Sequence, residues 1–455
     1  QEEEIVISGM NTRELILGIL LAVNEEGEPS HRVIREVLTK HQFLPKQERA
    51  FITRVCEGTL EYQITIDYIL NHFSKVKTDK MKPVIREILR SSVYQLKYMD
   101  SVPDSAVCNE AVKLAQKKGF YNLKPFVNGV LRTIAREMEE VPYPERSDLE
   151  NHLSVKYSMP PFLVQKWLRE YGEEITEKML ADFLTERPTT VRCRQYLTNQ
   201  EETLESIREQ GILVSPAPYL DYAFYLSGYN HILTIQAFLE GKIQVQDVSS
   251  MLVAEVAAPK KGDQILDLCA APGGKSLHVA DKMAGFGMVE ARDLTEYKVG
   301  LIQENIVRAG AINVQTRCMD ATVLDIDSED SADIVLADVP CSGYGVIGKK
   351  PDIKYKVTPS KQEEIVILQR KILDRAARYV KRGGTLVYST CTIAKEENQE
   401  NVSWFLENYP FEAVELDSCL PQELCCETTK LGYLQLLPGV HKTDGFFIAK
   451  FKRKR

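Results

Sequence analysis

Apolar positions recur three and four residues apart through residues 11–140, and that spacing predicts helices throughout. Asn11-Thr-Arg-Glu14 has the spacing of a capping box ahead of Leu15, Ile16, Ile19, Leu20 and Val23. Further helices are expected at 30–40, 46–60, 64–73, 82–99, 104–118 and 125–140. Pro45, Pro83, Pro103 and Pro125 fall near starts, where a missing N–H removes no hydrogen bond. Short connections make this an all-α bundle. Val141-Pro-Tyr-Pro-Glu-Arg-Ser-Asp148 reads as a linker. Residues 150–235 then mix periods: helices at 161–171, 175–185 and 201–210, an alternating strand at 189–195, and strand-like runs near Ile212, Ala223 and Gln244. A small α+β module of ferredoxin-like type is expected. Beyond Gln246 a helix at 251–258 precedes strands at 265–268, 287–291, 315–319, 334–337 and 385–389. Helices at 275–283, 296–309 and 361–380 separate them, and strands at 434–437 and 446–451 close the chain. Such alternation predicts an α/β, Rossmann-like sheet, largely parallel and covered on both faces. The expected domains are 1–142, 150–235 and 236–455.

The centre of the third domain is Ile265-Leu-Asp-Leu-Cys-Ala-Ala-Pro-Gly-Gly-Lys-Ser276. It reads as strand, glycine turn, helix, the first unit of a doubly wound sheet, where a ligand sits at the strand's carboxyl end. Small residues let the backbone approach that ligand, and the helix start favours an anionic group. The run is neither G-x-G-x-x-G nor a Walker loop, because Gly274-Lys-Ser276 lacks the latter's first glycine upstream. A ligand with a carboxylate, an amine and a nucleoside suits it better, and S-adenosylmethionine fits that description. A phosphate cradle and a turn without a ligand are the other readings.

Composition narrows this little. At 455 residues with 44% hydrophobic and 27% charged, the chain is ordinary for a soluble multidomain protein. No apolar run approaches the ~18 residues of a membrane span. Its acidic start, Gln1-Glu-Glu-Glu4, lacks a basic-then-apolar signal, so a cytoplasmic location is expected. A monomer without a membrane partner is expected as well. The formal charge of −8 means that any nucleic-acid surface is local. Candidate patches are Lys75 to Lys82 with Arg86 and Arg90, and Arg187, Arg192 and Arg194. Each reads equally as a solvated face. The ten cysteines show no zinc spacing, and no metal is expected.

Asp267, Asp293, Asp320 and Asp338 fall at or near the ends of successive strands, which open into one crevice. Asp293 is suited to ribose hydroxyls, and Asp320 or its neighbours to an adenine amino group. Each alone could be a helix cap, but four in order favour a nucleoside. Two cysteines share this edge: Cys341 in Asp338-Val-Pro-Cys341 and Cys391 in Ser389-Thr-Cys391, after neighbouring strands. A lone cysteine is usually a small buried apolar residue. A pair beside a nucleoside pocket suggests covalent catalysis on a pyrimidine: a thiolate adds to carbon 6 and makes carbon 5 nucleophilic. A base then removes the carbon-5 proton so the thiol can leave. Asp338 is suited to the ring's N3–N4 edge. Residue spacing does not choose between Cys341 and Cys391 as the attacking group.

Asp267-Leu-Cys-Ala-Ala-Pro-Gly-Gly-Lys275, Asp338-Val-Pro-Cys341, Thr390-Cys391, Leu436-Leu-Pro438 and Asp444-Gly-Phe-Phe447 together resemble the NOL1/NOP2/Sun family of RNA 5-methylcytosine methyltransferases. Arg49-Ala-Phe-Ile-Thr-Arg-Val-Cys-Glu-Gly-Thr-Leu60 and Phe126-Val-Asn-Gly-Val-Leu-Arg132 resemble the NusB family, an RNA- and protein-binding helical fold. The resemblance implies that Cys391 attacks and Cys341 assists product release. It implies that Cys269, Ala270, Ala271, Pro272, Gly273, Gly274, Lys275, Asp293, Asp320 and Asp338 line an S-adenosylmethionine site. With the NusB-like head it implies RNA, 16S ribosomal RNA first among candidates, as substrate. An N-methyltransferase and a non-catalytic RNA-binding protein are the competing functions. The first would favour an Asp-Pro-Pro-Tyr type motif, which the chain lacks.

Overall fold

The computed structural model describes residues 11–196 and 198–455, so the acidic start lies outside the described residues. The chain forms two compact units. One holds residues up to Leu184 together with Ile347–Lys356; the other holds Thr185–Val346 and Val357–Arg455.

The first unit is helical. Helices span Thr12–Asn24, Ser30–Lys40, Lys46–Glu61, Gln63–Phe73, Pro83–Tyr98, Asp104–Lys117 and Lys124–Glu137, within about two residues of the pattern at most ends. Asn11 and Glu14 form the expected capping box. Leu20, Ile52, Leu60, Leu70, Leu89, Leu131 and Ile134 meet in one core with no exposed surface. The helix at Pro161–Phe183 breaks at Gly172, whose φ of 78° only glycine adopts at little cost. The apolar period had predicted two helices there.

The basic patch of this unit needs correction at its arginines. Arg90 is buried and holds Asp67 at 2.6 Å and Glu87 at 2.7 Å. Arg86 pairs with Glu25 and Glu87. Both are held by internal carboxylates and do not form a phosphate-facing surface.

The second unit carries two sheets. The first has strands β1 (Thr189–Cys193), β2 (Leu213–Pro216), β3 (Ala223–Ser227) and β4 (Ile243–Val245) in the antiparallel order β2-β3-β1-β4, the expected small module. Arg192 and Arg194 lie on β1 and just after it, and both are buried. Asp281 receives them at 2.8 and 2.7 Å. They are internal ion-pair partners, and the expectation that they meet phosphates is overturned. A buried guanidinium cannot shed its carboxylate for an outside anion without a large desolvation cost. Arg187, the third of that set, lies 3.7 Å from Asp444.

The larger sheet contains β5 (Gln264–Asp267), β6 (Met288–Asp293), β7 (Val314–Cys318), β8 (Ala332–Asp338), β9 (Val380–Thr390), β10 (Phe411–Ala413), β11 (Tyr433–Leu436) and β12 (Phe446–Arg453). Its order is β10-β12-β9-β8-β5-β6-β7, with β11 paired to β12. The strands from β5 to β9 are parallel neighbours, and β12 enters antiparallel beside β9. Successive residues alternate between two cores. Ile265, Ile334, Leu336 and Val387 face one; Leu266, Val335, Ala337 and Leu386 face the other. Helices Val248–Ala257 and Gly274–Lys282 contribute to the first core, Pro359–Tyr379 and Gln399–Asn408 to the second.

Candidate active site

β8 and β5 are the inner pair of the sheet, so their carboxyl ends sit at its middle. Register pairs Asp267 with Leu336, and Asp338 with Ser389 of β9. Asp267, Asp338 and Thr390 therefore close their strands on one edge. Asp293 closes β6 on the same edge, and Met319 donates its N–H to the Asp293 carbonyl at 2.8 Å. That leaves Asp320 two residues beyond β7, exposed, with an oxygen taken by the Thr322 N–H and hydroxyl at 2.8 and 2.7 Å. These two bonds hold its carboxyl below the usual range.

The glycine turn follows β5. Gly273 has φ 104°, and a Cβ there would lie 3.1 Å from Ile302. The next residue opens the helix at Gly274. Asp267 is 1% exposed. Ser276 donates its hydroxyl to Oδ2 at 2.6 Å, while Oδ1 is buried without a hydrogen-bond partner. Burial, with the Asp338 charge behind it, pushes this carboxyl up to about 7, against the pull of Ser276 and Lys275. Asp293 is oriented from both sides: Ala271 N–H meets Oδ2 at 2.9 Å and Leu294 N–H meets Oδ1 at 2.8 Å.

Lys275 is the cation of the site. Its Nζ lies 2.7 Å from Asp338 Oδ2 and 5.4 Å from the centre of the Phe446 ring. Burial depresses the ammonium, but Asp338, Asp267 and Cys391 more than offset this and leave it firmly protonated. Ser389 donates to the other oxygen of Asp338 at 2.8 Å.

The two cysteines meet. Cys341 and Cys391 sulfurs lie 3.2 Å apart, and both residues are half-buried. The Cys341 thiol is pushed well up, first by donating to Cys391, then by burial and the charges of Cys391 and Glu397. The loops that carry them are tied together. Gly345 N–H donates to the Cys391 carbonyl at 3.0 Å, and Gly445 N–H donates to the Gly345 carbonyl at 2.9 Å. A Cβ on Gly345 would come within 2.0 Å of that glycine partner, so the close approach requires glycine. Ser342 and Thr392, each one residue past its cysteine, share a hydroxyl hydrogen bond of 2.7 Å.

Glu397 escaped the sequence reading. It lies in the charged run Lys395-Glu-Glu-Asn398, which looks like a solvated loop, yet it is fully buried beneath the cysteines. Its distance in sequence from Cys341 left no local signal. Of the remaining thiols, Cys56, Cys108 and Cys193 are buried, whereas Cys318 and Cys426 are exposed. Among the described residues no cluster of three His, Cys, Asp or Glu could hold a metal, and no helix is long and apolar enough to cross a membrane.

Residues 254–452 match the family model described as 16S rRNA methyltransferase RsmB/F. Residues 10–136 match the NusB family, and 159–232 match the RsmF/B-like ferredoxin-like domain. The probable ribosomal RNA small subunit methyltransferase B of Bacillus subtilis (strain 168) is 37% identical over 448 residues, covering 98% of this chain and 99% of that protein. The ribosomal RNA small subunit methyltransferase B of Shewanella oneidensis is 29% identical over 447 residues, covering 97% of this chain and 99% of its own. Among solved structures, the crystal structure of PH0851 superposes with a TM-score of 0.81 at 28% identity, over 98% of this chain and 99% of its own. A methyltransferase homologue from Pyrococcus horikoshii covers 68% of this chain and 100% of its own, with a TM-score of 0.58 at 26% identity. A NusB domain, a ferredoxin-like module and a Rossmann-like methyltransferase domain thus follow one another along the sequence. The chain belongs to the ribosomal RNA small subunit methyltransferase B family.

Proposed function

We propose that the chain transfers a methyl group from S-adenosylmethionine to carbon 5 of a cytosine in 16S ribosomal RNA, in the cytoplasm and as a monomer, through a covalent cysteine adduct. The observation that carries this reading is the 3.2 Å separation of the Cys341 and Cys391 sulfurs, on the strand edge that also holds the Asp338–Lys275 pair. An N-methyltransferase has no use for two touching thiols.

The residues present fit the cofactor. Asp267 offers a buried oxygen without a partner, suited to an amine or a bound water. Asp293 has both oxygens pre-oriented by backbone N–H groups and keeps lone pairs for two ribose hydroxyls. The turn from Cys269 to Lys275 would line the remainder, with Asp320 further along the edge. When bound, S-adenosylmethionine supplies an electrophilic methyl group.

Cys391 is the attacking group in this reading. The Lys275 ammonium stabilises its thiolate, and the Cys341 thiol donates to it. Addition of the Cys391 sulfur to carbon 6 breaks the 5–6 double bond and makes carbon 5 nucleophilic. Asp338, held by Lys275 and Ser389, presents its carboxylate to the N4 amino edge of the ring. Once Cys391 is bonded to carbon, its negative charge is gone, and so is the hydrogen bond that did most to keep the proton on Cys341. Cys341 can then lose that proton to water and act as the base. It takes the carbon-5 proton, the C–H electrons restore the double bond, and the Cys391 thiolate leaves.

The test is methyl transfer from labelled S-adenosylmethionine to undermodified ribosomal RNA. Cys391→Ala is expected to lose activity by about 10³-fold or more. Cys341→Ala is expected to accumulate an RNA–protein adduct that resists denaturant. A Cys391→Ala protein that still methylates overturns the nucleophile, and activity in both variants moves the reaction off carbon 5.

A further inference from the structure

The two reactive sulfurs sit on separate loops, so something must hold those loops in register. The Cys391 side is fixed by its strand and its neighbours: β9 runs up to Thr390, the Thr390 hydroxyl donates to the Asn398 side chain at 2.7 Å, and Gly345 N–H donates to the Cys391 carbonyl. The Cys341 side has left its strand at Asp338. Val339 N–H to the Ser389 carbonyl, Gly345 N–H to the Cys391 carbonyl and the Ser342–Thr392 hydroxyl bond tie its loop to β9, and a further set of side chains flanking Cys341 converges on one carboxylate.

Glu397 is fully buried. One of its oxygens accepts the Ser342 N–H at 2.9 Å, immediately after Cys341. The same oxygen accepts Gln369 Nε2 at 2.9 Å, and that amide also donates to the Pro340 carbonyl at 3.0 Å, immediately before Cys341. Gln362 Nε2 donates to the other oxygen at 3.3 Å. The backbone carbonyl of Glu397 is itself fixed, by the Tyr388 hydroxyl from β9 at 2.5 Å and by Asn401 at 3.1 Å. Cys341 is therefore gripped on both flanks by a group anchored to the strand that carries Cys391. A carboxylate on three N–H donors in a closed site has no water to replace it.

We propose that Glu397 is the positioning residue that sets Cys341 against Cys391. Its task is to accept hydrogen bonds, so the acceptor geometry matters and the charge does not. Glutamine can keep the oxygen toward Ser342 and Gln369 if Gln362 turns its amide; leucine fills the volume and accepts nothing. The catalytic consequence rests on the covalent reading above: with Cys341 adrift and Cys391 still in place, adduct formation persists and release slows.

Two readouts separate the positioning from that reading. The first needs no RNA. Diamide takes two electrons and two protons from a thiol pair, leaving a disulfide and the hydrazine. The rate of Cys341–Cys391 bond formation, followed by peptide mass mapping, then reports how close the sulfurs lie. The Glu397→Leu protein is expected to cross-link about tenfold more slowly than wild type, and Glu397→Gln at close to the wild-type rate. Gln369→Leu keeps the Ser342 bond but frees Pro340, and is expected to fall between them; it serves if Glu397→Leu does not fold. The second readout is the denaturant-resistant RNA adduct, expected to build up in Glu397→Leu as in Cys341→Ala but not in Glu397→Gln. Cross-linking at the wild-type rate in folded Glu397→Leu and Gln369→Leu overturns the positioning role, as does a Glu397→Gln protein as slow as leucine. Slowed cross-linking with no adduct in any variant, Cys341→Ala included, supports the positioning role and overturns the covalent reading instead.

Discussion

Arg192, Arg194 and Asp281 form a buried ion cluster beside β1. Arg192 and Arg194 alternate with apolar neighbours on a strand, which made them look like a solvated or phosphate-facing row. Their partner, Asp281, lies in a helix nearly ninety positions on, and nothing local announces it. All three side chains are almost fully buried. Asp281→Asn leaves two buried guanidiniums sharing a neutral amide, and a loss of about 3–5 kcal/mol in unfolding free energy is expected. Chemical denaturation of the variant checks this; a change under about 0.5 kcal/mol would mean the pair is solvated after all. Asp267, Asp293 and Asp338, by contrast, were legible because their positions follow from strand ends, and strand ends follow from the apolar runs. Cys341 and Cys391 were legible as a pair for the same reason: β8 and β9 are neighbours, so residues at their ends must meet. Glu397 was not, because a buried carboxylate is identified by its partners and those are scattered from Ser342 to Gln369.

At the scale of elements, β9 begins five residues before the expected strand and the helix Leu149–Tyr157 was not anticipated, but the seven helices up to Glu137 and the strands β5 to β8 stood in the hydrophobic period within about three residues. The segment Ile347–Lys356 did not. Lys349-Lys-Pro-Asp-Ile-Lys-Tyr-Lys356 reads as a polar loop, but it belongs to the helical unit and is tied to its helix ends. Lys354, 1% exposed, donates to the carbonyls of Glu61 and Ser158 at 2.6 Å each. Tyr355 donates to the Leu60 carbonyl at 2.8 Å, and Asp352 receives the Ser30 hydroxyl at 2.5 Å. These carbonyls are the orphans that a helix leaves at its end, and a lysine placed there also faces the negative pole of the dipole. Burial pushes the Lys354 amine down to about 7, with Glu61 opposing. The unfolded chain therefore holds one more proton than the folded one between pH 7 and the ordinary lysine value. Stability should rise with pH across that window, by about 1.4 kcal/mol per pH unit at most from this group, with the gain absent below pH 7. Lys354→Met removes the group, so the difference between wild-type and variant unfolding free energies should climb from pH 7 to pH 10. A difference that stays flat would show that the amine keeps its charge in place.

The whole chain has a net charge of −8, yet the relatives it matches end to end are named for ribosomal RNA. Attraction for RNA must then come from local surfaces and weaken steeply with salt. The arginines that looked most suited to it are committed inside, which leaves lysines such as Lys75 and Lys80 as candidates. A second consequence concerns folding. The helical unit takes ten residues from a distant part of the chain, between Val346 and Val357, so it is not a contiguous piece of sequence. A fragment ending at Leu184 lacks those residues. The Glu28, Leu60, Glu61 and Ser158 carbonyls then lose the Lys356, Tyr355 and Lys354 donors. Some of these carbonyls will find water, so the net loss is smaller than four full hydrogen bonds, about 2–3 kcal/mol. For a unit of this size that corresponds to about 5–10 °C in melting temperature. Residues 11–184 should accordingly melt lower than the same residues carrying 347–356 on a flexible Gly/Ser linker, and a Lys354→Met change in the appended segment should remove much of the gain. Equal melting of the bare and the extended fragments would mean that the helices are self-sufficient and the segment merely rests on them.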